Sequence, residues 1–114
     1  APIGPYSQAV RVGNLLFISG QIAINPQNGQ IEAKDVSGET MQVMKNLEAI
    51  LKEAGLGFEN VVKTSIFLTD MGNFGQVNEV YGRYFKNQFP ARETVAVKGL
   101  PKDVQVEIAM IAAF

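Results

Sequence analysis

The chain has no cysteine, no histidine and no tryptophan. The first two absences exclude disulfides, thiol nucleophiles, imidazole acid–base chemistry and the commonest zinc and iron ligands. Catalysis, if there is any, falls to carboxylates, hydroxyls, amines, guanidinium groups and backbone. Charge of one sign is lacking too: ten basic and eleven acidic residues leave a net charge of −1, and neither sign gathers into a run. A polyanion partner such as nucleic acid is therefore not expected. No apolar run approaches the roughly 20 residues that span a bilayer, and no basic leader precedes a hydrophobic segment, so the expected compartment is the cytoplasm, without a membrane partner.

What is present suits one globular domain, expected over residues 1–114, with 46% hydrophobic and 18% charged residues. "YSQAVRVGNLLFISGQI" reads as two strands joined by Gly13-Asn14, a pair suited to a two-residue turn. That turn sets Val12 opposite Leu15, Val10 opposite Phe17 and Gln8 opposite Ser19, with Tyr6 near Gln21. One face is then apolar beside the turn and polar at the far end. "NPQNGQ", residues 25–30, is a loop. Met41, Met44, Leu47, Ile50, Leu51 and Ala54 recur at helical spacing, with Ser37 as candidate N-cap and Gly55 as the stop. Residues 61–68 are apolar and β-branched, a buried strand. A second helix is expected over residues 72–87 with Phe74, Val77, Tyr81 and Phe85 as its stripe, ended by Pro90.

The order β-β-(β)-α-β-α-β-β indicates an α+β sandwich, one sheet with both helices on one face. Two helices leave the other sheet face uncovered, and its apolar residues suit packing against another copy.

The segment "FPARETVAVKGLPKDVQVEIAM" alternates like a hairpin. Pairing Lys98 with Asp103 around "GLPK" puts Val95, Val97, Val104, Val106, Ile108 and Met110 on one face. Arg92, Thr94, Ala96, Gln105, Glu107 and Ala109 then share the other. On that register Arg92 and Glu107 are diagonal neighbours. They form either a solvated ion pair, worth about 0.2–1 kcal/mol, or an anion site with a carboxylate beside it, for which a planar guanidinium fork is suited. Pattern alone leaves both readings open.

"IGPYSQAV", "VGNLLFISGQI", "VVKTSIFLTDM", "VNEVYGRYF", "FPARETVAV" and "LPKDVQVEIAMIA" together resemble the RidA/YjgF family, formerly known as the L-PSP endoribonuclease or translation-inhibitor family, from Ile3 to the C-terminus. The resemblance implies a chorismate-mutase-like α+β fold, a mixed β-sheet with two helices on one face, assembled as a homotrimer with sheets inside and clefts between subunits. It also implies 2-iminobutanoate/2-iminopropanoate deaminase activity: hydrolysis of reactive enamine/imine intermediates to 2-oxo acids and ammonia, with neither metal nor cofactor. The family's arginine falls on Arg92 and its carboxylate on Glu107, expected to clamp the substrate carboxylate and to activate water. Its tyrosine, serine and asparagine fall on Tyr6, Ser19 and Asn78, and Gly20 lets a ligand approach the backbone. Thr94, two residues past the arginine, stands in the expected binding site where many members carry cysteine, so no thiol role transfers. Ala109 replaces a second acid, leaving Glu107 the only carboxylate on this part of the strand. Other functions within this resemblance are sensing of small 2-oxo acids without turnover and the ribonuclease of the older name.

Overall fold

The computed structural model describes residues 6–114; the first part of the "IGPY" motif, residues 3–5, lies outside them. β1 (Ala9–Val12) and β2 (Leu15–Gln21) form the hairpin expected from Gly13-Asn14, with Val12 opposite Leu15 and Val10 opposite Phe17. Gly13 takes a φ of +60°, the left-handed conformation glycine adopts without steric cost. A single bridge, Ile24 to Ile31, stands where a further strand was expected.

Helix α1 (Val36–Glu53) is capped two residues earlier than expected, because Asp35 and not Ser37 accepts the free N–H of Gly38, at 2.7 Å. It ends as read: Gly55, at φ +79°, donates to Lys52 O, and Leu56 donates to Leu51 O. These paired bonds are the Schellman closure of a helix C-terminus. β3 (Val61–Leu68) occupies the span read from sequence. α2 (Phe74–Gly82) is shorter than the expected 72–87: a 3-10 turn, Met71–Asn73, precedes it, and it stops at Gly82, well before Pro90.

β4 (Ala91–Ala96) and β5 (Val106–Ala113) do not form the expected hairpin. Strand order is β1-β2-β5-β3-β4, with β4 parallel to β3 and β5 antiparallel between β2 and β3. The chain β3-α2-β4 is thus a crossover unit, which demands parallel pairing. The segment after β4 then carries the chain past the end of β3 to the sheet centre. Lys98 and Asp103 are not strand partners; Asp103 belongs to a 3-10 turn, Pro101–Asp103.

Both helices cover one sheet face. Leu16, Ile18, Ile66, Leu68, Val106, Ile108 and Met110 pack there against Val43, Met44, Leu47 and Leu51 of α1 and Val77 and Tyr81 of α2. Among the described residues nothing covers the opposite face, which is partly apolar: Val10, Val12, Phe17 and Val95 are 41–62% exposed. A Lys63–Glu93 ion pair of 3.1 Å, with Ser65 donating to the same carboxylate, also lies there. Among the described residues no helix is long and apolar enough to cross a membrane.

Candidate active site

The corrected topology divides the expected site residues into two groups. β5 alternates strictly, with Val106, Ile108, Met110 and Ala112 buried toward the helices, so Glu107 leaves by the uncovered face. Arg92 pairs across β3 with Thr64, and Thr94 with Ile66, both core-facing, so Arg92 and Thr94 lie on the helix side. Sharing neither face nor adjacent strands, Arg92 and Glu107 cannot form the cross-strand pair drawn from the hairpin register.

Glu107 is half-buried in a cavity of 390 Å³ at the end of β2. Tyr6, Gln8, Gly20, Gln21, Pro101 and Lys102 contribute to its lining, and Ile22, Ile24 and Ile50 extend it with apolar wall. A β-bulge shapes this end: Ile18 pairs with Met110 and Gln21 with Ile108, so Ser19 and Gly20 together face Ala109. Bulges of this kind re-aim side chains and bring backbone close to a site. Gly20 lies so near the carboxyl that a Cβ on it would stand 2.2 Å from Glu107 Oε2. Burial raises the Glu107 carboxyl above its ordinary value, the direction a proton acceptor at near-neutral pH needs.

The polar end of the first hairpin forms largely as read. Gln21 Nε2 donates to Gln8 Oε1 (3.1 Å) and Ser19 O (3.0 Å). Ser19 Oγ, however, donates to Ser7 O at 2.7 Å, a strand hydroxyl satisfied by backbone, and Ser19 does not line the cavity.

The second group sits under α2 at the β4 edge. The Arg92 guanidinium carbon lies 5.2 Å from the Tyr81 ring centre and 5.6 Å from that of Phe74. This is a cation–π platform holding the fork without neutralising it. The ion pairs among the described residues, Lys63–Glu93 and Arg83–Glu79, leave Arg92 without a carboxylate partner. Tyr81 is itself fixed by donating to Thr64 Oγ1 at 3.0 Å, and burial raises its phenol, which stays protonated beside the cation. Asn78, half-buried, is four residues after Phe74 and three before Tyr81, hence on the helix face that carries both rings. Thr94 Oγ1 is buried without a hydrogen-bond partner among the described residues.

Phe74 and Tyr81 were legible only as a core stripe; their spacing of seven, two helical turns, also places both rings over one neighbour. Lys102 was not singled out from sequence, though "LPKD" brings it to the cavity rim, with a φ of +56°.

The sequence profile described as Endoribonuclease L-PSP matches residues 1–114. The chain belongs to this family. A RutC family protein of Pyrococcus horikoshii is 50% identical over 111 residues, covering 97% of this chain and 88% of that protein. The mouse protein named 2-iminobutanoate/2-iminopropanoate deaminase is 50% identical over 112 residues, covering 98% of this chain and 83% of its own length. Among solved structures, a putative endoribonuclease of Thermotoga maritima superposes with a TM-score of 0.94 at 49% identity, covering 98% of this chain and 88% of that one. The L-PSP family thus includes proteins named as imine deaminases at about half identity to this chain, and the fold is the one its solved members share.

Proposed function

We propose that this chain hydrolyses small 2-imino acids and their enamine tautomers to 2-oxo acids and ammonia, in a cleft completed by a second copy. The observation that carries the reading is the isolation of Glu107, a half-buried carboxyl with a raised pKa in a cavity. Arg92, a cation on an aromatic platform with no carboxylate partner among the described residues, complements it. One chain holds them on different faces of the sheet. A neighbouring copy docked on the uncovered apolar face can bring its own Arg92 edge to this Glu107, and the same contact would cover Val10, Val12 and Phe17. Closed cyclic association is the arrangement that gives every copy one such cleft, with three copies expected.

In the cleft Arg92 grips the substrate carboxylate through its fork. Glu107 takes a proton from water as the water oxygen bonds to the C=N carbon of the iminium. The carbinolamine nitrogen then takes that proton from Glu107. The C–N bond breaks, its electrons leaving with nitrogen while the hydroxyl oxygen forms the carbonyl. The hydroxyl proton passes to the departing ammonia, so iminium and water become 2-oxo acid and ammonium. Positioning and one proton relay supply the catalysis. Tyr6 and Gly20 close the cleft beside Glu107, and Asn78 and Thr94 stand beside Arg92. The reaction needs no metal or cofactor. A ribonuclease reading fits less well, since a net charge of −1 gives no electrostatic footprint for RNA and no histidine is present for acid–base cleavage.

The test generates the imine with a threonine dehydratase and threonine and follows it by semicarbazide trapping. The reading expects less trapped semicarbazone when the protein is present. Trapping equal to the protein-free control rejects turnover, and binding of a 2-oxo acid under the same conditions would turn the reading to ligand sensing.

A further inference from the structure

Glu39 is the buried carboxylate the mechanism leaves unused. It sits in the first turn of α1, 5% exposed. Its described hydrogen-bond partners both belong to Gln105: Oε1 accepts the Gln105 backbone N–H at 2.8 Å, and Oε2 accepts Gln105 Nε2 at 3.2 Å. The remaining polar groups of Gln105 are engaged as well. Its carbonyl accepts from Thr69 N at 3.2 Å, and its side-chain oxygen accepts from Asn73 Nδ2 at 3.4 Å. Gln105 is therefore fixed from α1, from the end of β3 and from the turn that opens α2.

Two features make that fixation consequential. The turn leading into Gln105 contains consecutive left-handed residues, Lys102 at φ +56° and Asp103 at +55°. Residues other than glycine rarely adopt this conformation, and it persists only where surrounding contacts impose it. Pro101 and Lys102 of that turn form the cavity wall, and Glu107 follows Gln105 by two residues. A carboxylate is also costly to bury unless hydrogen bonds compensate, so an apolar side chain would serve mere packing better.

We propose that Glu39 is a positioning residue for the active site: by hooking Gln105 it clamps the strained entry of β5 and sets where the Glu107 carboxyl lies in its cavity. The inference rests on the reading of Glu107 as general base. Its test therefore includes a readout independent of turnover. Tyr6 and Lys102 are the other titratable groups lining the cavity.

The experiment compares wild type, Glu39→Ala and Glu39→Gln by carboxyl-carbon NMR titration of Glu107, and by kcat and KM for imine hydrolysis well below each melting temperature. In Glu39→Ala the Glu107 midpoint should fall toward the ordinary 4.5 as water enters the loosened wall. Its kcat should drop about 10- to 100-fold, the scale of a misplacement near 1 Å. KM should stay within about 3-fold, because Arg92 lies on another strand. Glu39→Gln keeps an acceptor for the Gln105 N–H and should restore most of both. If Glu39→Ala does not fold, Glu39→Asp, which keeps the charge but shortens the reach, replaces it with the same expectation. A lowered melting temperature with the Glu107 titration and kcat unchanged overturns the proposal, as does a glutamine variant no better than alanine. If wild type turns over no imine, the functional reading fails and the NMR titration alone decides the positioning claim.

Discussion

Replacing Gly20 by alanine puts a methyl group where the Glu107 carboxyl already is. The added Cβ would stand 2.2 Å from Oε2, 2.7 Å from Cδ and 3.0 Å from Cγ of Glu107, against the 3.4 Å at which ordinary contact begins. The carboxyl oxygen must retreat by more than 1 Å. The obstructed atoms are the free end of a flexible side chain, so the carboxyl and not the strand gives way. A distorted rotamer costs about 0.5–1.5 kcal/mol, against about 1–3 kcal/mol for an unrelieved overpacked core. Melting should therefore fall by about 2–6 °C, while a general base displaced by 1 Å loses on the order of 100-fold in kcat/KM. Gly13→Ala is the contrasting control. Among the described residues nothing lies within 4 Å of its added Cβ, but φ is +60°, so it should lose about 1–2 kcal/mol of stability and keep its activity. The assays are thermal melting and imine trapping on the same preparations. A folded Gly20→Ala protein with wild-type turnover refutes the placement of the chemistry at Glu107.

Three further outcomes follow from the same geometry. Arg92→Lys keeps the charge but loses the fork and most of the ring stacking, and should raise KM for the imine by about 10-fold or more while melting stays near wild type, as steady-state kinetics will show. The raised Glu107 pKa means the folded state holds its proton more tightly than the unfolded chain, so its contribution is full below the ordinary carboxylate range and lost as pH rises through the folded pKa. Glu107→Gln should thus gain stability over wild type as pH rises above the ordinary carboxylate range, the gain levelling off above the folded pKa, in urea titrations at a series of pH values. Tyr81→Phe strands the buried Thr64 hydroxyl, at about 1–3 kcal/mol, whereas adding Thr64→Val should recover most of that loss in denaturation experiments.

Local signals carried the elements, and long-range pairing was what escaped them. Gly13-Asn14 dictated the β1–β2 register because a two-residue turn leaves no choice of partner, and Gly55 announced the end of α1 because its closure needs a left-handed residue. The β4–β5 hairpin failed because alternation in "ETVAV" and "VQVEIAM" is the same whether two strands pair with each other or each pairs with a third. The usable signal was topological: a strand, a helix and a strand in succession favour a parallel crossover. That error also put Arg92 and Glu107 on one face, where the chain places them apart. Ser37 lost the cap to Asp35, an equally good capper two residues earlier. At Ser19 the hydroxyl found a backbone carbonyl, which no spacing rule foresees. The Glu107 cavity with Tyr6 and Gly20 was legible from the hairpin turn and the family resemblance together; the Phe74–Tyr81 platform needed the fold.

The central claim is that one copy's Arg92 works with another copy's Glu107, and subunit mixing tests it most directly. Arg92→Ala and Glu107→Gln should each be inactive alone. Co-refolded in equal amounts, random assembly gives about one cleft in four both native residues, so about a quarter of wild-type activity should return. Activity that stays at the level of the separate variants, in assemblies shown to contain both chains, would contradict a shared site.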